Sequence, residues 1–251
     1  MIEIDQLLKY YGSSRAIGPV TTSVPDGQIV GLLGLNGAGK TTTLRMLAGD
    51  LLPTSGTIRI DGLSHAEAPE ALRRRIGYLP DTPPLYPEMT VEGFLTFVAR
   101  LRGVPRAQVA SRVAEVLERT QLGGRRSQRI HELSHGYRQR VGIAQAIVHA
   151  PALVLLDEPI SGLDPVQIVE MRGLLRSLRG EHTLIVSSHI LSEISETCDR
   201  LLVLRDGQVV ASGSEAELIA SFLGRARVEL LVQPNGPLQP LLTELQALSS
   251  V

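Results

Sequence analysis

Gly34-Leu35-Asn36-Gly37-Ala38-Gly39-Lys40-Thr41 follows the apolar run Ile29 to Leu33 and leads into a helical pattern, Thr42 to Leu47. The octapeptide fits G-x-x-x-x-G-K-[ST], in the strand-then-helix setting its mechanism requires. Glycines let the backbone curl until its N–H groups point inward at phosphate oxygens, and the helix start adds the positive end of its dipole. Lys40 is placed to reach the outer phosphates of a nucleotide, and the Thr41 hydroxyl to ligate Mg²⁺. Lys9 and Lys40 are the only lysines, against 23 arginines. A lysine kept at this one place suits a compact point charge between phosphates.

Outward from this loop, short apolar runs alternate with longer helical patterns, which predicts α/β architecture with a largely parallel sheet. Leu153 to Leu156, Thr183 to Val186 and Leu201 to Leu204 are the further core strands. Residues 1–33 read instead as short strands with turns at Tyr11-Gly12-Ser13 and Pro25-Asp26-Gly27, an antiparallel β layer leading into the core. Thr57 to Ile60 with Asp61-Gly62, and Asp206-Gly207 between two apolar runs, are further strand-and-turn signals. Val91 to Arg102 and Gln108 to Thr120 space their apolar residues three and four apart, so about 83–150 is expected to be a helical subdomain inserted between core strands. The domain is expected to span 1–224, with a short appended strand and helix at 225–251.

Leu153-Val154-Leu155-Leu156-Asp157-Glu158-Pro159 ends a strand in two acids, at the sheet edge where α/β ligands bind. Asp157 suits Mg²⁺, and Glu158 suits orienting and deprotonating an attacking water. A strand ending in solvated acids is common; the pairing with a phosphate loop is what gives this one weight. Leu133-Ser134-His135-Gly136-Tyr137-Arg138-Gln139-Arg140 precedes the helical run Val141 to Val148, with Ser134 as N-cap. It is either an ordinary capped helix or a second anion-binding helix start, offering the Ser134 hydroxyl and the Gly136 N–H.

This ordered set resembles the ABC ATPases across roughly residues 1–220. Ser134 to Tyr137 resemble their signature motif, commonly L-S-G-G-Q, with His135 in place of the first glycine and Tyr137 in place of the glutamine. Tyr11 looks like the adenine-stacking aromatic, and Asp81 in Gly77-Tyr78-Leu79-Pro80-Asp81 stands where a glutamine is usual. A carboxylate there can face Mg²⁺ but cannot donate as an amide does. Ser161-Gly162-Leu163-Asp164 looks like the D-loop, and His189 in Ser187-Ser188-His189 like the switch histidine. The resemblance implies a RecA-like P-loop NTPase core, ATP and Mg²⁺ as ligands, and catalysis by Glu158 with His189.

It also implies a head-to-tail dimer of identical or related ATPase subunits, with Ser134, His135, Gly136 and Tyr137 acting on the other protomer's ATP. The form L-S-x-G-Y-R-Q-R resembles the ABC-2 exporter group, including gliding-motility-type components. A non-transport ABC ATPase, acting in assembly or scaffolding, shares every one of these motifs. A P-loop kinase is disfavoured by the signature and the acid pair.

Hydrophobic residues make up 43% and charged residues 20% of 251, ordinary values for a globular domain. No run approaches the roughly 18 apolar residues of a spanning helix, and Met1-Ile2-Glu3-Ile4-Asp5 lacks a signal-peptide pattern. Membrane work would need separate multi-span subunits, with this chain peripheral at the cytoplasmic face. A net charge of -1 gives no basic field for nucleic acid, and the single Cys198 excludes an intrachain disulfide.

Overall fold

The computed structural model describes residues 1–222, so the strand and helix expected at 225–251 lie outside the described residues. Met1–Leu218 form one compact unit, and a second begins at Ile219. The chain opens with a hairpin, β1 (Ile2–Tyr11) and β2 (Ser14–Val24), then enters the core through β3 (Ile29–Leu33) and α1 (Lys40–Ala48). A second antiparallel pair, β4 (Ser55–Ile60) and β5 (Leu63–Ser64), precedes α2 (Pro69–Arg75) and β6 (Ile76–Leu79). Three helices follow, α3 (Val91–Leu101), α4 (Val109–Arg119) and α5 (His135–Ile147). The core resumes with β7 (Leu153–Leu156), α6 (Pro165–Ser177), β8 (Thr183–Ser188) and the short α7 (Leu191–Ile194). It closes with β9 (Arg200–Arg205), β10 (Gln208–Gly213) and α8 (Glu215–Phe222).

Two sheets result, in the orders β2-β1-β4-β5 and β10-β9-β3-β8-β7-β6. The first is antiparallel throughout. In the second, β9, β3, β8, β7 and β6 run parallel and β10 returns as an antiparallel edge. The two-residue turn Asp206-Gly207 has positive φ at both positions, the geometry that matches strand twist.

β1 is longer than the short strands expected. Ile2 and Ile4 point inward, Gln6 takes a positive φ, and inward burial resumes at Leu7, so a register shift at this point changes the phase of the alternation. A bulge of this kind hides a ten-residue strand from a strict period-two reading.

The continuous apolar runs are explained by burial on both faces. Leu153 and Leu155 pack with Ile2, Ile58 and Leu44 on the side of the antiparallel layer. Val154 and Leu156 pack with Phe94, Val113 and Ile143 on the other. α3 buries Val91, Phe94, Leu95 and Val98, and α4 buries Val109, Val113, Val116 and Leu117, the spacing of one helical face.

His149, just after α5, is largely buried, and its Nε2 donates to the Ile76 carbonyl at 3.2 Å. Burial pulls its pKa from 6.5 down to about 4, and burial lowers that of His182 too. The unfolded chain takes up a proton at His149 as pH falls through its ordinary value, whereas the folded chain does so only near the depressed one. Stability is therefore complete at neutral pH and falls across that window, by roughly 3 kcal/mol from His149 alone. Urea unfolding at pH 7 and pH 4.5 is expected to show a smaller acid loss in His149→Gln than in the parent chain.

Candidate functional site

The parallel sheet puts the ends of β3, β7 and β8 side by side, and each delivers part of one site. Past β3 the loop is pinned by Gly34 N–H to the Ser188 carbonyl at 3.3 Å and by Ala38 N–H to the Leu35 carbonyl at 3.1 Å. Gly39 turns it into α1 with φ 102, and a Cβ there would sit 2.7 Å from the Ala16 carbonyl oxygen. Only glycine meets both demands.

Lys40 begins the helix with its side chain 6% exposed. Its Nζ donates to the Gly34 carbonyl at 2.7 Å and the Leu35 carbonyl at 3.4 Å, and lies 3.2 Å from Glu158 Oε1. Its buried charge is thus held by the loop and by the acid of the next strand but one.

Past β7, Asp157 is fully buried. It accepts from Ser187 Oγ at 2.6 Å on Oδ1, while Oδ2 has no protein partner. Burial pushes its carboxyl upward, and the hydroxyls of Ser187 and Thr41 pull it part of the way back. Glu158 takes a positive φ and donates its N–H to Ser187 Oγ at 2.9 Å. His189 Nδ1 donates to Glu158 Oε2 at 2.9 Å. One serine of β8 therefore holds the Asp157 carboxyl and the Glu158 backbone, and His189 holds the Glu158 carboxyl.

Of these groups, Lys40, Glu158 and His189 line an open cavity of about 440 Å³. Asn36, Gly37, Gly39, Lys40, Thr41 and Thr42 form one wall, and Asp81, Glu158, Ser161 and His189 another. Thr41, Asp81 and Asp157 also line an adjoining cavity of about 510 Å³. An orphaned buried carboxylate oxygen next to a hydroxyl is a fitting seat for a cation. Among the described residues no group of three or more His, Cys, Asp and Glu could hold a metal by itself, so a cation here would be shared with phosphate oxygens.

Several residues singled out in the sequence do not line these cavities. Tyr11 ends β1 at 49% exposure, with Lys9 Nζ 5.5 Å from its ring centroid. Ser134 caps α5, accepting from Tyr137 N–H at 3.5 Å. Tyr137 packs on the core beneath the Arg125 guanidinium, 5.0 Å from the ring centroid. Gly136 is buried, and a Cβ there would meet Gln167 Oε1, the end of a flexible side chain, at 2.5 Å, so a larger residue would have to push Gln167 aside. Asp164 caps α6 by accepting from Gln167 N–H at 2.8 Å. Ser187 and Ala16, one holding the Asp157 carboxyl and the Glu158 backbone and one crowding the loop, were not given these roles by the sequence.

Residues 17–161 match the family described as ABC transporter. The chain belongs to the ABC transporter family. As an ABC ATPase it binds and hydrolyses ATP, as a subunit that powers membrane transport. It is 40% identical over 218 residues to an uncharacterised ABC transporter ATP-binding protein of Bacillus subtilis, covering 87% of this chain and 72% of that one. It is 38% identical over 231 residues to the Nod factor export ATP-binding protein I of Paraburkholderia xenovorans, covering 91% and 76%. A solved ATP-binding subunit of an ABC transporter superposes with TM-score 0.80 at 32% identity, covering 98% of this chain and 99% of that one. A dimeric ATP-binding cassette in a post-hydrolysis state, bound to ADP and phosphate, gives TM-score 0.76 at 25% identity over 85% and 98%. The ABC ATPase brings its 34–42 loop, Glu158 and His189 together in the geometry described above.

Proposed function

We propose that this ABC ATPase powers export, working as a pair of subunits at the cytoplasmic face of a membrane beneath separate membrane-spanning chains. Among the described residues no helix is long and apolar enough to cross a membrane, which supports separate spanning chains. Export is supported by the likeness to the Nod factor export protein.

The observation that carries the paired arrangement is the position of the signature turn. Ser134 to Tyr137 contribute nothing to the cavity around Lys40, yet Ser134 is exposed at a helix start. A second subunit that brings its own Ser134 turn to this cavity would complete the phosphate shell. Tyr11 is assigned to the adenine, and residues 34–42 to the phosphates. Thr41 and Asp157, with Asp81 beside them, would hold Mg²⁺, which neutralises developing phosphate charge when bound. Glu158 accepts a proton from water as the water oxygen bonds to the γ-phosphorus and the bond to the ADP oxygen breaks. His189 keeps that carboxylate aimed, and the helices between β6 and β7 pass the resulting movement to the membrane subunits.

Mixing two inactive chains tests the pairing. Ser134→Asp keeps a good N-cap but sets a carboxylate against the phosphates, and Lys40→Ala removes the loop cation. Each chain alone is expected to be inactive, and the mixture to regain ATPase activity, because one of its two shared sites is intact. A mixture as inactive as its components would sink the shared-site arrangement.

A further inference from the structure

The start of α5 is clasped to a loop 26 residues further along. His135 Nε2 lies 3.2 Å from the Ser161 carbonyl oxygen. A carbonyl oxygen only accepts, so Nε2 carries the hydrogen. The same ring covers Gly162, where a Cβ would stand 3.4 Å from Nε2 and 3.7 Å from Cδ2. At the other end of the loop, the Gln167 side chain closes over Gly136 while its own N–H is fixed to Asp164. The first turn of α5 thus holds the loop directly at Ser161 and lies against Gln167, whose N–H is bonded to Asp164.

Ser161 also belongs to the wall of the nucleotide cavity, and its N–H donates to the Glu158 carbonyl at 3.2 Å. A continuous set of contacts therefore runs from Lys40 through Glu158 and Ser161 to the His135 ring. It ends at the turn that carries Ser134 and Gly136. Glycine, the commonest residue at this point of the signature, has no ring to make the link.

We propose that His135 is a positioning residue that ties the loop Ser161–Asp164 to the signature turn. The two then move as one piece, and nucleotide in one site sets the position of the turn offered to the other. The second half of this statement rests on the paired-subunit reading; the tie itself does not.

Three variants of the full chain separate the hydrogen bond from the bulk of the ring. His135→Gly removes both, His135→Leu keeps bulk without a donor, and His135→Gln returns a donor. In nucleotide-free monomer, amide hydrogen exchange at Ser161 and Leu163, whose N–H groups are bonded to the Glu158 and Ile160 carbonyls, is expected to quicken about twofold to tenfold in the Gly and Leu variants, the worth of one net hydrogen bond. The Gln variant should stay near wild type. In ATPase assays the first two should lose kcat by a similar factor with KM for ATP nearly unchanged, and their Hill coefficient should fall toward one. Unchanged exchange in both would overturn the tie. Faster exchange with unchanged kcat and Hill coefficient would show a contact that positions nothing, and equal losses in all three variants would show a merely structural role; either overturns the proposal. The exchange measurement needs no second subunit, so failure of the pairing, read from the mixed chains, stays distinguishable from failure of the tie.

Discussion

Glu158→Gln is expected to bind ATP as well as the parent chain and to hydrolyse it about 10²–10⁴-fold more slowly, the contribution of a positioned base. The substitution preserves size and leaves the phosphate loop untouched. Lys40 keeps the carbonyls of Gly34 and Leu35 as partners, so the cation stays at its post. What disappears is the carboxylate that His189 holds at 2.9 Å and, with it, the acceptor for the water proton. Loss of the Lys40–Glu158 contact also frees the ammonium to meet an incoming phosphate, so ATP affinity should hold or rise. Equilibrium binding of labelled ATP and steady-state phosphate release on the same preparation measure the two halves of the statement. Turnover near the parent rate would remove Glu158 from the chemistry.

Why some of this was legible in the sequence and some was not follows from how far each role reaches along the chain. The phosphate loop is local: its glycines, lysine and threonine act within a single strand-loop-helix unit. The acids at Asp157 and Glu158 stand out because the run before them is apolar on both faces. Ser187 carries no such mark. It holds the Asp157 carboxyl and the Glu158 backbone only because β8 lies beside β7, with Leu156 opposite Val186, and strand order is not written in either segment alone. β1 runs longer than its alternation suggests because a register shift reverses the inward phase midway along the strand. Gly136 shows the opposite difficulty. Its glycine can be read as room for a phosphate, yet Gln167 of the same chain fills that space. His135 could be seen as a departure from the usual signature, but its partner Ser161 became visible only once α5 and the loop before α6 were brought together.

Lys40→Ala should be the most damaging single change, and Lys40→Arg is expected to rescue little of it. Each charge-assisted hydrogen bond to phosphate is worth about 1.5–3 kcal/mol, so the alanine variant should bind ATP at least ~10-fold more weakly. Stabilisation of the developing charge is lost as well, at a further ~10²–10³-fold in turnover. The arginine result is the more informative. Arginine keeps the charge, and this chain uses it almost everywhere else that a cation is needed. The Lys40 ammonium, however, sits between the Gly34 carbonyl at 2.7 Å and Glu158 Oε1 at 3.2 Å, in a side-chain site only 6% exposed. A planar five-donor fork is longer and wider than that seat, so it would displace either Glu158 or the loop carbonyls. Titration of ATP into both variants, with ATPase rates alongside, separates charge from shape. An arginine chain with parental affinity and turnover would show that charge alone suffices and that the tight seat around Lys40 has no part in catalysis.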